Sequence, residues 1–343
     1  MTLSEAIARY LPAVEDAMRC ILSPPSDEFK RFYGMMRYHQ GWLDEALQPQ
    51  AGASGKRVRP VLCLLCCQAV GGQYESATSL AAAIELMHSF TLVHDDIEDR
   101  SETRRHRRTV WALWGEAHGV NVGDAIFAAA HLGLYQLSTK VQPALALELA
   151  AAFDDTCLRL CEGQYLDMDF EGRREVSVSE YMTMIERKTA ALMALAAWSG
   201  ARAGGADERR AEAFRGLGLE LGLAFQIQDD LLGVWGDEHE TGKSTSTDIA
   251  SAKKTLPYIL ALETLPAPLA QELTGLYSLS ERGPAEVQRA RELIELSRAR
   301  ERCEQAAQEH HGAALEHLRA SQAEPGAAQA LVELIEQLGG RRA

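Results

Sequence analysis

Apolar residues recur at i, i+3, i+4 and i+7 along most of this chain, the spacing of one helix face. Strict apolar–polar alternation, the mark of a half-buried strand, never runs beyond four or five residues. The pattern predicts helices over residues 3–21, 27–48, 57–70, 75–99, 107–116, 119–137, 143–169, 178–199, 208–235, 253–264, 268–279, 283–320 and 326–340. Breakers separate them: Pro24-Pro25, the glycines of 52–55, Gly71-Gly72, Gly204-Gly205, and the pair Pro266 and Pro268. Residues 81–93 and 189–198 are apolar on more than one face, which belongs to the inside of a bundle. No linker or low-complexity tract divides the sequence. It reads as one all-α domain over residues 1–343, a helical bundle with peripheral helices at 1–50 or 280–343. One long polar stretch, 236–251, interrupts the pattern, and a loop of that size is expected to be functional or mobile.

Composition narrows the classes. The formal charge is 35 − 49 = −14, which argues against a nucleic-acid partner, because that binding needs Lys and Arg to neutralise phosphates. No apolar run reaches the ~18 residues of a transmembrane segment, and the acidic, amphipathic start lacks the basic and apolar regions of a signal peptide. Of the seven cysteines, Cys63, Cys66 and Cys67 sit in the apolar run VLCLLCCQAV, and no His or second Cys pair lies at zinc spacing to complete a site. They are read as buried, reduced thiols of a cytoplasmic protein.

Two carboxylate clusters carry the chemistry. Asp95-Asp96-Ile97-Glu98-Asp99 closes the apolar run AAAIELMHSFTLVH, and Asp95 and Asp99 share a helix face at i and i+4. Four carboxylates at a helix C-terminus repel one another and oppose the dipole, an arrangement that a cation relieves. Oxygen ligands at this spacing suit Mg²⁺, which keeps waters and shares substrate phosphates. The second cluster, Gln226-Ile227-Gln228-Asp229-Asp230, ends LGLELGLAFQIQDDLLGVW, with Gln226, Asp229, Asp230 and Gly233 on one stripe. Across a bundle cavity the two clusters are expected to hold metal ions between them.

Basic motifs supply the counterpart. Lys56-Arg57-Val58-Arg59-Pro60 opens a helix after a glycine loop, and helix N-termini attract anions. Arg104 and Arg105 follow Asp99 closely within RSETRRHRRT, and Lys188 and Lys243, with Lys253 beyond, are expected to provide further cations near the second cluster. Arg binds phosphate bidentately and stays charged. Metals, Arg and Lys around an apolar cavity describe a site for a polyphosphate with an apolar tail. Neither GxxxxGK[ST] nor a strand-linked GxGxxG is present, which disfavours a nucleotide.

In these residues the sequence resembles the trans-isoprenyl diphosphate synthases, the polyprenyl synthetase family. The matching motifs run in order over about residues 50–260: GKRVRP, ELMHSFTLVHDDIED, TRRHRRT, VNVGDAIFA, CEGQYLDMDF, ERKTAALMALAA and FQIQDDLLGVWGDEHETGKS. The resemblance implies an all-α bundle around a deep central cavity, a homodimer, and three Mg²⁺ per active site. Asp95, Asp99 and Asp229 would ligate Mg²⁺ on an allylic diphosphate (dimethylallyl, geranyl or farnesyl), with Asp96 and Asp230 in support. Arg104, Lys188, Gln226 and Lys243 would contact that diphosphate, with Lys253 nearby. Lys56, Arg59, His88 and Arg105 would hold isopentenyl diphosphate without metal, and Thr189 would lie beside the reacting carbons. The reaction so implied breaks an allylic C–O bond, couples the cation to the isopentenyl alkene and loses a proton to the departing diphosphate. His94 and His118 are expected to be structural. Three positions depart from the family pattern: His106 and Arg108 replace Gly and Pro of RRGxPT, and Gly233 stands where many members carry a third Asp.

Product length would be set one helical turn and more before Asp95. Thr91 and Phe90 lie ~6–8 Å deeper along the helix, from its ~1.5 Å rise, and Met87 lies further down. An aromatic five positions before an uninterrupted motif resembles the C20 members, so geranylgeranyl diphosphate is favoured, with farnesyl diphosphate as the alternative. A class I terpene cyclase shares the metal chemistry but needs no second diphosphate site. Lys56, Arg59, His88 and the Arg104-Arg105 pair therefore disfavour it.

Overall fold

The computed structural model describes residues 1–50, 55–236 and 247–339. Lys243, given a binding role above, lies outside these residues, as does most of the polar stretch 236–251. Between its connecting turns and loops the described chain is helical, with one two-residue-per-strand hairpin and an isolated bridge between Leu43 and Pro49. It divides into two compact units: Met1–Asp154 with Leu195–Phe214 and Ser321–Leu331, and Asp155–Ala194 with Arg215–Ala320 and Val332–Ala343.

The first unit contains α1 (Leu3–Ile21), α2 (Lys30–His39), α3 (Val58–Ala69), α4 (Thr78–Glu98), α5 (Val110–Trp114) and α6 (Glu116–Tyr135). A capping box starts α1, with Thr2 and Glu5 satisfying each other's backbone N–H groups. The centre of the unit is α4, whose residues 80–87 are all buried and which packs on α1, α3 and α6. Small residues let α6 approach it. A methyl added at Gly119 would meet Ile97, and one at Gly123 would meet the His94 ring.

The second unit receives the C-terminal part of α7 (Pro143–Gly172), then α8 (Val178–Ile185), a π-helical turn at Glu186–Ala190, and the start of α9 (Ala191–Ala203). Most of α10 (Glu208–Trp235) and the helices Thr247–Ala250, Leu256–Thr264, Ala267–Tyr277, Pro284–Leu296 and Ala299–Ala320 complete it. Its core joins Tyr181, Ile185, Leu223, Ile227, Leu231, Tyr258, Ile259, Leu293 and Cys303.

Several predicted helices are interrupted. The expected helix 27–48 is a 3₁₀ turn at Asp27–Phe29 followed by α2, which stops before Gly41 at φ 84°. Beyond it the Asp44 carboxylate accepts from the N–H groups of Ala46 and Gln48 and turns the chain. The expected helix 283–320 breaks at Arg298, φ 57°, where the Ser297 hydroxyl accepts from the Ala299 N–H. The expected helix 178–199 is continuous only through the π turn, a local widening frequent at functional sites. The start of the expected helix 107–116 is a strand, residues 107–108.

Candidate active site

In the first unit the acidic end of α4 meets an arginine hairpin. Asp95 is half-buried, Asp99 exposed, and Asp96 between them only 2% exposed. The Asp96 carboxylate accepts from Arg104 Nε at 2.7 Å. Burial pushes this carboxyl up to about 6, with the Arg104 guanidinium opposing the shift. Arg104 belongs to β1 (Thr103–Arg104), which pairs antiparallel with β2 (Arg107–Arg108). The two-residue turn is Arg105-His106, at φ 52° and 60°. A two-residue hairpin turn with both central residues left-handed is the favoured geometry. His106 thus adopts the conformation that glycine would supply, and histidine is among the side chains that tolerate it.

Arg57 precedes α3 in the left-handed region, φ 46°, and is nearly inaccessible. Its guanidinium donates to Glu15 at 3.0 Å, to Glu85 at 2.8 Å and to the Gln40 side chain and carbonyl at 3.0 and 3.1 Å. Arg57 is therefore an anchor of the GKR segment, while Lys56 is exposed and Arg59 half-buried. Arg59 Nε is buried with no hydrogen-bond partner. Burial lowers the Arg59 pKa; the Glu85 carboxylate opposes that shift and Arg105 adds to it. The Arg105 guanidinium occupies the space beside Gly55, 2.5 Å from where a Cβ would sit. His88 is half-buried, and burial followed by Arg59, Arg105 and Arg104 holds its imidazole well below the ordinary histidine range. These couplings gather Arg59, His88, Arg104 and Arg105 into one positive region. His39, not singled out in the sequence, belongs to it as well.

Deeper in α4, Phe90 is 8% exposed and Met87 fully buried, while Thr91 is half-buried. The Phe90 ring packs edge-on against Phe127 of α6, centroids 5.0 Å apart. Phe127 is a second aromatic at this level of α4, not evident from the sequence because it lies 37 residues along the chain.

In the second unit, small residues on α10 set the geometry. A Cβ at Gly222 would lie 2.5 Å from Ala190 Cα, and one at Gly218 would collide with the Met193 carbonyl. The same stripe then carries Gln226 and Asp230. Thr189 donates its hydroxyl to Gln226 Oε1 at 2.8 Å, and Gln226 Nε2 donates to Asp230 Oδ1 at 3.0 Å. Asp230 also accepts from Tyr181 OH at 2.6 Å and the Leu256 N–H at 3.0 Å. Burial, with Asp248 adding to it, pushes Asp230 up to about 7 against these hydrogen bonds. Asp230 is therefore a buried organiser of Gln226 and Thr189, whereas Asp229 is exposed. Tyr181 is a member that the sequence did not reveal. Lys188, on the π turn, pairs with Asp167 at 2.5 Å. Gly163 is required beneath it, since a methyl there would collide with the Lys188 backbone nitrogen. Lys253 is half-buried just after the turn Thr247–Ala250. The space a Cβ would take at Gly233 is filled by the Asp248 carboxylate.

Among the described residues no three acidic, histidine or cysteine side chains converge on one point. A half-buried Asp95 and an exposed Asp99 on one helix face form an open platform instead. That donor set fits Mg²⁺, which takes one or two carboxylates and completes its shell with water and substrate phosphates.

Known proteins share this chain's pattern. Residues 40–296 match the polyprenyl synthetase family model. A (2E,6E)-farnesyl diphosphate synthase from Mycobacterium tuberculosis is 44% identical over 223 residues, 65% of this chain. The match spans 61% of that synthase's length. A geranylgeranyl diphosphate synthase from the same organism is 40% identical over 264 residues, 77% of this chain and 74% of the relative. The crystal structure of a polyprenyl synthetase from Streptomyces coelicolor A3(2) superposes with a TM-score of 0.87 at 35% identity, covering 98% of each chain. The helical fold, the ordered motifs and these matches agree, and the chain belongs to the polyprenyl synthetase family.

Proposed function

We propose that this protein is a Mg²⁺-dependent short-chain trans-prenyltransferase that condenses isopentenyl diphosphate with an allylic diphosphate. The observation that carries the reading lies in the first unit. The Asp96–Arg104 pair joins the acidic platform of Asp95 and Asp99 directly to the arginine hairpin. Carboxylates for metal and guanidiniums for phosphate thus stand side by side at one end of an apolar helix. Asp95, Asp99 and Asp229 are the proposed metal ligands, for three Mg²⁺ in the active site. When bound, the metal withdraws charge from the leaving diphosphate.

The chain's own residues do the rest. Arg104, Lys188, Gln226, Lys243 and Lys253 hold the allylic diphosphate. Lys56, Arg59, His88 and Arg105 hold the isopentenyl diphosphate, with no metal required. Orphaned Arg59 Nε supports that assignment, because a buried guanidinium N–H without an acceptor is costly unless a ligand takes it. Thr189, committed as a donor to Gln226, presents its oxygen lone pairs toward developing positive charge. The apolar walls exclude the water that would quench a carbocation. The proton lost at the end passes to the departing diphosphate, and no side-chain base is invoked.

A C20 product, geranylgeranyl diphosphate, is favoured over C15 because Phe90 stands alone before an uninterrupted acidic motif and the small Thr91 leaves room beside it. A homodimer is proposed from the outer face of α6, where Val120, Leu132 and Tyr135 are 45%, 60% and 60% exposed. No helix among the described residues is long and apolar enough to cross a membrane, and the seven free thiols suit a reducing cytoplasm. The test is consumption of isopentenyl diphosphate with Mg²⁺ and an allylic primer, lost in Asp95→Asn. Sedimentation velocity tests the dimer, and a monomer at micromolar concentration would overturn that part.

A further inference from the structure

His39 closes α2 and has no role in the reading above. Its imidazole is half-buried and lines a cavity together with Asp96, Arg104 and Arg105. Among the described residues no hydrogen bond or ion pair to its ring is seen, and its nitrogens are not sealed from the cavity. A polar group left open inside a cationic cavity is expected to serve something that enters the cavity.

The position of His39 is fixed by its neighbour. Tyr38 OH donates to the Arg108 carbonyl at 2.7 Å. The Arg107 guanidinium donates to the carbonyls of Tyr38 at 3.1 Å and Leu43 at 2.6 Å. It also lies 4.0 Å over the Tyr38 ring. The end of α2 and the arginine hairpin are thereby clamped together, and His39 is held facing Arg104 and Arg105.

The charges around it decide its chemistry. Arg104, Arg105 and Arg107 from the hairpin and Arg57 from the start of α3 all act on it, and it in turn acts on His88 of α4. Burial, then these guanidiniums, holds the imidazole down to about 3. A neutral imidazole offers one N–H donor and one acceptor nitrogen. The donor suits a phosphate oxygen and the acceptor suits a guanidinium N–H, so an anion and its arginines can be bridged without a further positive charge.

We propose that His39 is a further binding residue for the diphosphate of the isopentenyl substrate, donating a ring N–H to a phosphate oxygen beside Arg105. The proposal rests on the prenyl-transfer reading and extends it. The isopentenyl side is chosen because that diphosphate is held without metal, so the protein must supply every donor. Arg59, His88 and Arg105, its assigned holders, share the positive region with His39.

Two variants test it, His39→Leu, which removes the donor, and His39→Asn, which keeps an N–H. Steady-state kinetics give KM for each substrate, and calorimetry gives the affinity for isopentenyl diphosphate without Mg²⁺ or primer. His39→Leu is expected to raise the isopentenyl KM and the metal-free dissociation constant ~10-fold, the scale of a hydrogen bond to a charged group. The KM for the allylic primer should move less than ~2-fold, and His39→Asn should recover most of the loss. An unchanged isopentenyl KM, a rise confined to the allylic KM, or no recovery in His39→Asn would each overturn the proposal. If wild-type protein neither binds nor consumes isopentenyl diphosphate, the prenyl-transfer reading itself falls and takes this proposal with it. The wild-type control separates that failure from a failure at His39.

Discussion

Replacing Arg57 with methionine tests the anchor beneath the proposed isopentenyl site. The Arg57 and Glu85 side chains are 2% and 4% exposed, and their pair spans 2.8 Å. Arg57→Met removes that bond, the 3.0 Å bond to Glu15 and two bonds to Gln40. Glu85 then loses its 2.8 Å cation partner and keeps only the longer-range attraction of Arg59 and Arg105. Breaking a buried pair from one side costs about 3–5 kcal/mol, because the orphaned charge must stay dry or take up a proton. With unfolding entropy near 2.1 cal/mol/K per residue, a chain of this length has roughly 0.7 kcal/mol/K, so the midpoint should fall by about 4–7 °C. Differential scanning calorimetry or urea titration reads the loss. The second arm is Arg57→Met with Glu85→Met, since an apolar pair of similar volume often replaces a buried ion pair at little cost. The double variant should recover at least half of the loss. A single variant within ~1 kcal/mol of wild type, or a double variant no better than the single, would refute the assignment of Arg57 as a charge anchor.

Three other perturbations follow from single contacts. Gly233→Asp, which restores the aspartate common at that position in the family, should destabilise the second unit by about 2 kcal/mol or more, because the Asp248 carboxylate already fills the space; a variant as stable as wild type by urea titration would contradict this. Phe90→Ala should shift products beyond the wild-type length by at least one five-carbon unit, since it opens the floor against Phe127; an unchanged product, sized by mass spectrometry, would move the floor elsewhere. His39 has a folded-state pKa of about 3, below the ~6.5 of an unfolded chain, so its contribution is present above pH 6.5 and lost as pH falls. Between pH 7 and 5.5 the stability of wild type relative to His39→Asn should therefore drop by about 1 kcal/mol, and a pH-independent difference would show that His39 titrates normally.

What was legible in the sequence is what a single helix encodes. The acids at the end of α4 stood out because an apolar run stops there, and the Gln226–Asp229–Asp230–Gly233 stripe of α10 follows the helical period. The breaks were harder to read. The hairpin at Arg104–Arg107 has strands of two residues, too short for any period, and rests on left-handed Arg105 and His106. The π turn carrying Lys188 and Thr189 has an ordinary helical composition, and packing against Gly163 and Gly222 accompanies its local widening. Partners brought from afar were invisible for the same reason. His39, Phe127 and Tyr181 gain their meaning from residues dozens of positions away. Charge pairing was also hidden: Arg104 is tied to Asp96 and Lys188 to Asp167, so two of the cations proposed to bind phosphate are already paired with carboxylates.

The most direct test of prenyl transfer is product analysis. Purified protein is incubated with Mg²⁺, radiolabelled isopentenyl diphosphate and, separately, dimethylallyl, geranyl or farnesyl diphosphate, and the hydrolysed products are sized. The account predicts label in a linear C20 alcohol that disappears in Asp95→Asn and Asp229→Asn. Linear C15 alcohol would keep the reaction and reject the Phe90 floor. Primer converted to a cyclic hydrocarbon, with no label incorporated, would contradict the central claim.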